Sequence, residues 1–254
     1  MVSVVIPCYN QAHFLGEAIE SALSQSYPLF EIIVVDDGSP DNTAEVAARY
    51  PEVRYVRQDN QGVSVARNSG LARSGGAYIV FLDADDRLLP GALEVGVKEL
   101  EAHPECALVS GRYRIVAGDG SFLTQPSQHT VDEDRYVALL QGYGLGPPAV
   151  VMYRREVLES VGGFDGSVDA AADYDLYLRI ARRFRICSHE KEVAERRQHD
   201  MNMTHNSGIM LSHAVATLRS QRKHMKGNNR YEEAYKVGVR SFQEHNGIQL
   251  VNEV

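Results

Sequence analysis

Short apolar runs alternate with amphipathic helical patterns through the first hundred residues. Apolar, β-branched runs predict four strands, at 2–7, 31–35, 53–57 and 77–82. Apolar residues three and four positions apart predict helices at 13–25, 63–74 and 90–102. Strands that alternate with helices of this length predict right-handed βαβ units, and therefore a parallel sheet with helices on both faces.

The turn after the second strand is expected to lead directly into a helix. Ser39 is a natural N-cap, and Pro40 suits the first helical position because its missing N–H needs no partner there. We therefore place a helix start at these two residues.

The pattern loosens after about residue 105. The segments 106–116 and 121–125 flank a Gly-Asp-Gly turn and predict a hairpin. Beyond it the pattern predicts a Gly/Pro loop, a strand and two helices, at 141–148, 149–153, 155–161 and 173–183. No repeat or low-complexity linker interrupts the chain, so we expect one α/β domain over 1–204 and a helical C-terminal extension over 205–254.

Composition limits the class of protein. The formal net charge of −8 argues against nucleic-acid binding, which needs a basic face. The three cysteines are an odd number without a CxxC pair, so we expect neither a disulfide framework nor a zinc site, which favours a reducing cytosol. No apolar run approaches the roughly 20 residues of a membrane helix, and residues 1–10 lack a basic signal-peptide start. These features favour a cytoplasmic protein.

The last fifty residues differ from the rest in charge. Residues 205–254 carry seven basic and four acidic residues, whereas the remainder carries 19 basic and 30 acidic ones. Four basic residues fall at helical spacing beside apolar ones: Arg219, Arg222, Lys223 and Lys226. This basic rim could be the solvated side of a packed helix, or it could meet anionic lipid or a lipid-diphosphate acceptor at the inner face of the membrane. The pattern leaves both interpretations open.

Polar residues follow three of the predicted strands. They are Pro7-Cys8-Tyr9-Asn10, Asp36-Asp37-Gly38-Ser39 and Asp83-Ala84-Asp85-Asp86. The carboxyl ends of strands in an open α/β sheet border the ligand crevice, so five carboxylates gather at one edge. Each close pair costs about 1 to 4 kcal/mol unless hydration, protonation or a cation offsets it. Mn²⁺ or Mg²⁺, which bind carboxylates and phosphates together, explain this cluster more fully than capping of a solvated turn does.

Other phosphate-binding signatures are missing from the sequence. There is no GxxxxGK[ST] loop and no GxGxxG after the first strand, which argues against nucleotide hydrolysis and dinucleotide redox chemistry. A haloacid-dehalogenase-like phosphatase would carry its paired aspartates early and follow them with Gly-Thr. Here the pair follows the fourth strand and precedes Asp86-Arg87.

Seven stretches together resemble the family 2 glycosyltransferases with the GT-A fold. They are "SVVIPCYN", "ALSQSYP", "EIIVVDDGSPDNT", "QGVSVARNSGLARSGGAYIVFLDADD", "VVMYRREVLESVGGFD", "DYDLYLRIA" and "RRQHDMNMT", in the family's order over about residues 2–204. The resemblance implies a doubly wound, mostly parallel sheet. It also implies inverting, metal-dependent transfer from a nucleoside-diphosphate sugar, most simply a UDP-sugar, to a saccharide or lipid-linked acceptor in glycan assembly. The loops around 118–148 and the C-terminal segment are expected to select the acceptor.

The resemblance assigns the donor and metal positions residue by residue. Asp85 would bind the metal, and Asp83 would approach the ribose or the metal's water shell. His199 matches the segment that supplies an imidazole to the metal. For each, the structural alternative is a solvated turn or a surface side chain.

The nucleotide base is assigned to residues near the first two strands. Asp37 matches the residue that accepts a hydrogen bond from the base, and Pro7 and Tyr9 match the positions that flank it. Arg67 would partner the base and the Asp37 carboxylate, or else lie exposed on its helix. Asp36 is expected to bind turn amides instead.

Four further aspartates follow from the resemblance and from their positions. Asp86 is expected to support its neighbours or face solvent, and Asp165 and Asp175 to hold a loop and a helix end. Family members commonly carry Glu-Asp where this chain has Ala172-Asp173, so we assign the catalytic base to Asp173. The helix dipole and free amides would keep its carboxylate ionised. A plain helix cap is the structural alternative, and a catalytically silent nucleotide-sugar-binding protein is the alternative function.

Overall fold

The computed structural model describes residues 1–126, 134–142, 144–168, 170–200, 202 and 207–252, and all their side chains except those of 207, 209, 210 and 245–252. Residues 127–133 and 143, within the loops expected to select the acceptor, lie outside the described residues. So do 201, 203 and 204 of the predicted "RRQHDMNMT" stretch.

One mixed sheet runs through the described residues. Its nine strands are β1 (Val2–Cys8), β2 (Phe30–Asp36), β3 (Val53–Arg57), β4 (Tyr78–Phe81), β5 (Arg87–Leu88), β6 (Cys106–Ala117), β7 (Phe122–Thr124), β8 (Val151–Arg154) and β9 (Arg185–Gln198). Their order is β3-β2-β1-β4-β8-β6-β9-β5, with β7 paired to β6. Neighbours from β3 to β4 are parallel, as are β6 and β9, whereas β8 is antiparallel to both of its neighbours.

Helices cover the sheet and form the C-terminal part. They are α1 (Ala12–Leu23), α2 (Thr43–Ala47), α3 (Val63–Arg73), α4 (Ala92–Ala102), α5 (Arg135–Leu140), α6 (Arg155–Ser160), α7 (Ala172–Ala181), α8 (Ser207–Ser220), α9 (Arg222–Met225) and α10 (Asn229–Asn252). A 3-10 turn at Pro148–Val150 precedes β8, so that strand begins two residues later than expected. The four predicted N-terminal strands and the predicted hairpin are all present.

The sheet opens a crevice between β1 and β4. Their parallel pairing ends at Val5 and Phe81, whereas β1 and β2 remain paired as far as Cys8 and Asp36. The chain order reverses at this place, because β2 and β3 lie on one side of β1 and β4 lies on the other. Such a reversal is where open α/β sheets bind ligands.

A glycine sets how closely α3 approaches this crevice. A Cβ atom on Gly70 would lie 2.2 Å from Cγ1 of Val5 and 3.2 Å from Cγ2 of Val35. Only a residue without a side chain therefore lets α3 pack against β1 and β2 at this distance. The same packing carries Arg67, one turn earlier on α3, into the buried side of the helix.

The predicted helix start at Ser39 and Pro40 is wrong. The Ser39 amide donates to Oδ1 of Asp36 at 2.7 Å, and its hydroxyl donates to the Cys8 carbonyl, so the serine closes the β2 turn. The helix begins at Thr43, whose amide and hydroxyl both donate to Oδ1 of Asp41. Asp41 also accepts the amide of Ala12 at 2.9 Å, so it joins the starts of α1 and α2.

Strand β9 and its disulfide were not predicted. The 14-residue strand lies parallel to β6. The sulfur atoms of Cys106 on β6 and Cys187 on β9 are bonded, with their Cα atoms 5.9 Å apart. The expectation of no disulfide is therefore wrong for this pair, because the unpredicted pairing of β6 and β9 brings the two residues together.

The C-terminal helices pack against α5 and α7. Val215, Leu218 and Met225 are buried in this packing, and the four residues of the basic rim are exposed. The division of the chain at residue 204 stays a prediction. Among the described helices, none combines the length and the apolar composition that crossing a bilayer requires.

Candidate active site

The turn between β1 and α1 forms one wall of the crevice. Pro7 is buried on β1 beyond the pairs that β1 makes with β4, and Tyr9 is 51% exposed at the mouth. Asn10 adopts φ 55°, a left-handed conformation that asparagine tolerates better than most residues. The turn delivers Gln11 to the crevice, where its amide nitrogen donates to Oδ2 of Asp85 at 3.2 Å.

Asp36 holds the β2 turn together. Its side chain is fully buried; Oδ1 accepts from the Ser39 amide and Oδ2 accepts from the Tyr55 hydroxyl and from Nη1 of Arg57 at 2.7 Å. These contacts agree with the expectation that Asp36 is structural.

Asp37 is bound by the loop that leads into α3. Its Oδ1 accepts from the Gln58 side chain at 2.7 Å and from the Gln61 amide at 3.0 Å, and its Oδ2 accepts from the Gly62 amide at 2.9 Å. A carboxylate offers about four acceptor sites, so these three donors leave room for one more. Asp37 can therefore anchor the loop and still accept one hydrogen bond from a base.

Arg67 pairs with the β4 turn, and the expected pairing with Asp37 is wrong. Its Nη2 donates to Oδ1 of Asp83 at 2.6 Å, and its guanidinium lies over the Phe164 ring, 5.1 Å from the centroid. The charge of Asp83 raises the pKa of Arg67, although burial opposes that rise. The buried side of α3 directs the arginine toward β4, whereas Asp37 already accepts three hydrogen bonds from the loop that leads into α3.

Three side chains from distant segments converge on Asp85. Besides Gln11, Nε2 of His199 lies 2.9 Å from Oδ2, and the amide nitrogen of Asn202 lies 3.0 Å from the same oxygen. The Asn202 amide also lies 3.2 Å from Nε2 of His199, while its carbonyl oxygen accepts from the His199 backbone amide. The predicted pair of Asp85 and His199 is thus brought together at one point.

Asp86 is buried rather than exposed to solvent. Its Oδ1 accepts the backbone amide of Arg197 at 2.9 Å, which ties the β4 turn to the end of β9. Burial, with the charges of Asp85 and Asp83 adding to it, raises the pKa of Asp86 well above its ordinary value. Burial and the Asp83 charge also raise the pKa of Asp85, against the effect of His199.

The donor set of the β4 turn suits a hard divalent cation. Oxygen atoms from carboxylates and an imidazole nitrogen are ligands that Mn²⁺ accepts, and Mg²⁺ takes the oxygens. Burial and the neighbouring carboxylate charge together raise these pKa values, and a cation would offset both effects. The residues present therefore fit the predicted metal.

Asp173 lies in the first turn of α7, close enough to Arg67 for the arginine charge to act on it. Its Oδ1 accepts the amide of Tyr174 at 2.9 Å. Burial raises the pKa of Asp173, and the Arg67 charge and the amide hydrogen bond offset only part of that rise. Desolvation thus outweighs the helix amides, and the pKa of Asp173 lies above rather than below its ordinary value.

Asp165 and Asp175 make local contacts. Asp165 accepts from the amide and the hydroxyl of Ser167, and Asp175 pairs with Arg179 one turn later at 2.7 Å. Both contacts agree with the structural roles expected from the sequence.

Sequence reasoning missed three residues that shape the site: Gln11, Arg197 and Asn202. Gln11 directly follows the turn after β1, so its closeness to the carboxylates could have been inferred from the crevice argument. Arg197 lies two positions before His199 and Asn202 lies three positions after it. The directions of their side chains depend on β9, which the sequence pattern did not predict.

The sequence profile of "Glycosyl transferase family 2" matches residues 3–162. Among curated relatives, an uncharacterized glycosyltransferase of Rickettsia bellii is 32% identical over 74% of this chain and 28% of its own length. A chondroitin synthase of Escherichia coli is 28% identical over 71% of this chain and 26% of its own length. The chain thus spans less than a third of the length of either relative.

Two solved structures share the fold across nearly the whole chain. Staphylococcus aureus TarS 1-349 in complex with UDP-GlcNAc has a TM-score of 0.74 and 18% identity, over 95% of this chain and 72% of its own. The mannosyltransferase PcManGT of Pyrobaculum calidifontis, in complex with GDP-Man and Mn²⁺, has a TM-score of 0.73 and 22% identity, over 96% of this chain and 70% of its own. The predicted GT-A fold is confirmed. With 160 of its residues matched by the family profile, the chain belongs to glycosyl transferase family 2.

Proposed function

We propose that this chain is an inverting, metal-dependent glycosyltransferase domain that uses a nucleoside-diphosphate sugar, preferably a UDP-sugar, in glycan or polysaccharide synthesis. The observation that carries the proposal is the convergence of Gln11, His199 and Asn202 on Asp85, beside Asp83, at the crevice between β1 and β4. TarS in complex with UDP-GlcNAc and PcManGT in complex with GDP-Man and Mn²⁺ support a nucleotide-sugar donor.

The metal would be held by Asp85 and His199. When bound, Mn²⁺ or Mg²⁺ would neutralise the negative charge that develops on the leaving diphosphate. Asp83, fixed by Arg67, would bind the donor's ribose or a water on the metal. Asp37, with its remaining acceptor position, would bind the base between Pro7 and the exposed Tyr9.

Asp173 would act as the general base. It would remove the proton from the acceptor hydroxyl as the hydroxyl oxygen attacks the anomeric carbon from the side opposite the diphosphate, and so invert that carbon. Burial raises the pKa of Asp173, which brings it closer to neutrality and makes the carboxylate a better proton acceptor.

A catalytically silent nucleotide-sugar-binding protein is the second candidate. Ala172 stands where the resembled family commonly carries a glutamate, and this single position favours it. Under this alternative the donor and the metal would bind, but no sugar would be transferred to an acceptor. Release of UDP with a trial acceptor separates the two candidates.

The basic rim lies at the opposite end of α7 from the proposed base. Arg182, at the end of α7, donates to the side chain of Gln221, which directly precedes α9. Burial lowers the pKa of His224 on α9, and the positive charge of Arg182 lowers it further. Nine residues of helix separate Arg182 from Asp173, which is roughly 14 Å of rise. We therefore propose that the rim contacts anionic lipid at the inner face of the membrane, away from the site where the acceptor binds. The acceptor in this proposal is either a saccharide or a lipid-linked molecule.

A thermal-shift screen of UDP- and GDP-sugars with and without Mn²⁺ tests the donor and metal together. At a ligand concentration of 100 times Kd, binding adds about 3 kcal/mol to the free energy of unfolding. We expect Asp85→Asn to remove the Mn²⁺-dependent part of this gain while Asp165→Asn, which changes a carboxylate of a distant turn, retains it. If no nucleotide sugar stabilises the wild type with Mn²⁺, the proposal fails.

A further inference from the structure

Arg197 is a buried charged residue near the end of β9, and its side chain lies against the β4 turn. It is 2% exposed and is the largest of the fully buried side chains among the described residues. An arginine is almost never buried without partners that satisfy its charge and its five donors. Its contacts therefore indicate what the buried guanidinium holds in place.

The guanidinium joins three separate segments of the chain. Its Nε donates to the carbonyl of Asp85 at 3.0 Å, and its Nη1 donates to the carbonyl of Gly118 in the β6–β7 turn at 2.6 Å. Its Nη2 pairs with Glu17 of α1. Its own backbone amide meanwhile donates to Asp86, so backbone and side chain of one residue hold the β4 turn at two points.

Arg197 also orders the surroundings of the imidazole. Its Cζ lies 4.6 Å from the centroid of the Phe14 ring, and the centroid of that ring lies 4.8 Å from the centroid of His199. Phe14 thus lies against both the guanidinium and the imidazole. The two residues proposed to bind the metal, Asp85 and His199, are therefore both oriented by groups in contact with Arg197.

A planar fork is required for this arrangement. Three directions of donation, to Asp85, Gly118 and Glu17, match the fixed geometry of a guanidinium. A lysine would keep the positive charge beside Glu17 but could not reach both carbonyls, because its three donors share a single nitrogen.

We propose that Arg197 is a positioning residue that fixes the β4 turn and the His199 imidazole in the arrangement that binds the divalent cation. The inference rests on the proposed metal-dependent function. It adds to that function a residue that touches neither metal nor substrate. Partners that orient metal ligands typically change metal affinity 10- to 100-fold when they are replaced.

The test is the Mn²⁺ affinity of the donor-free protein, measured from the electron paramagnetic resonance signal of free Mn²⁺. We expect Arg197→Lys to weaken Mn²⁺ binding by about tenfold or more. Arg154→Lys is the matched control, because Arg154 also donates to backbone carbonyls, those of Leu100 and Cys106. These carbonyls lie near the start of β6, at the end of the sheet away from the crevice. Both variants should lose thermal stability, but only Arg197→Lys should lose Mn²⁺ affinity.

A second variant covers the case in which Arg197→Lys does not fold. Glu17 is 46% exposed, so Glu17→Gln should fold while it removes the charge that holds one end of the guanidinium. We expect a smaller loss of Mn²⁺ affinity in the same direction. If the wild type binds Mn²⁺ and the folded Arg197→Lys, or Glu17→Gln in its place, binds it equally well, the inference is overturned while the proposed function stands. If the wild type itself binds no Mn²⁺, the proposed function fails first.

Discussion

Two acidic turns lie on either side of β1 at the carboxyl edge of the sheet, and they balance their charge differently. In the turn after β2, Asp36 and Asp37 accept six hydrogen bonds from side chains and amides of their own neighbourhood, including one from Arg57. In the turn after β4, three aspartates have five hydrogen-bond partners, and three of these meet at a single oxygen, Oδ2 of Asp85. Burial, with the charges of neighbouring carboxylates, raises the pKa values of Asp85 and Asp86.

The contrast shows why a count of aspartates cannot identify a metal site. Carboxylates whose acceptor positions are filled by the chain's own donors stabilise a turn and gain little from a cation. Carboxylates that remain buried with like charges beside them destabilise the apo fold, and a cation offsets that cost. The β2 turn is of the first kind and the β4 turn of the second.

The largest expected effect concerns the chemistry beside the β4 turn. Asp173→Asn keeps the size of the side chain and most of its capping ability, so donor binding should persist. Turnover should fall by roughly 10² to 10⁴-fold because the base is lost. Initial rates on a verified acceptor measure the change, with Asp175→Asn as the control for damage to the same helix. A fall of less than about tenfold would return Asp173 to the role of a helix cap.

A pair of substitutions tests the contrast through stability. In metal-free protein, Asp36→Asn should lower the free energy of unfolding by about 2 kcal/mol, because hydrogen bonds to a buried carboxylate are lost. Asp85→Asn should leave it unchanged or raise it by about 1 kcal/mol, because like-charge repulsion is relieved. Urea unfolding followed by circular dichroism measures both values. Equal losses from the two substitutions would show that the turns do not differ.

The pH profile gives a further test of Asp173. Since burial raises its pKa above the ordinary value of 3.8, the base stays protonated, and activity stays low, until the pH rises through that higher value. We expect the acidic limb of kcat against pH to lie above the ordinary aspartate value of 3.8 and to disappear from the residual activity of Asp173→Asn. A limb unchanged in that variant would belong to another group.

The smallest expected effect lies beneath the β2 turn. Burial raises the pKa of the Cys8 thiol from 9.0 to about 11, so the folded state favours the protonated form. Its contribution to stability is complete below pH 9 and is lost as the pH rises toward 11. Between pH 8 and pH 10 the wild type should therefore lose about 1 kcal/mol more than Cys8→Ala does. Equal losses in urea unfolding at the two pH values would show that the thiol is not desolvated.

The N-terminal half of the sheet was predictable because three of its strands, β1, β2 and β4, are buried on both faces. Buried and mainly apolar runs such as Val2–Cys8 have few alternatives to a central parallel strand, and the polar residues that follow them mark the crevice edge. Strand β9 was not predictable in this way. Its buried positions include Glu195 and Arg197, so the alternation of apolar and polar residues that indicates a strand is lost.

Side-chain partners were harder to predict than strands. The sequence places Arg67 near two acidic turns, and only the packing of Gly70 against Val5 and Val35 decides that it faces Asp83. The disulfide likewise depends on the pairing of β6 with β9, which no local pattern indicates.

The convergence on Asp85 also has a consequence for the order of events during synthesis. Gln11 lies 74 positions before Asp85 in the chain, and His199 lies 114 positions after it. A ribosome adds on the order of 5 to 20 residues each second, so several seconds pass between the appearance of the β4 turn and that of its imidazole. A nascent chain would therefore carry an incomplete and weakly binding set of ligands until β9 has paired with β6. Tight binding of the proposed cation would then indicate that β9 has paired and that the whole sheet has formed.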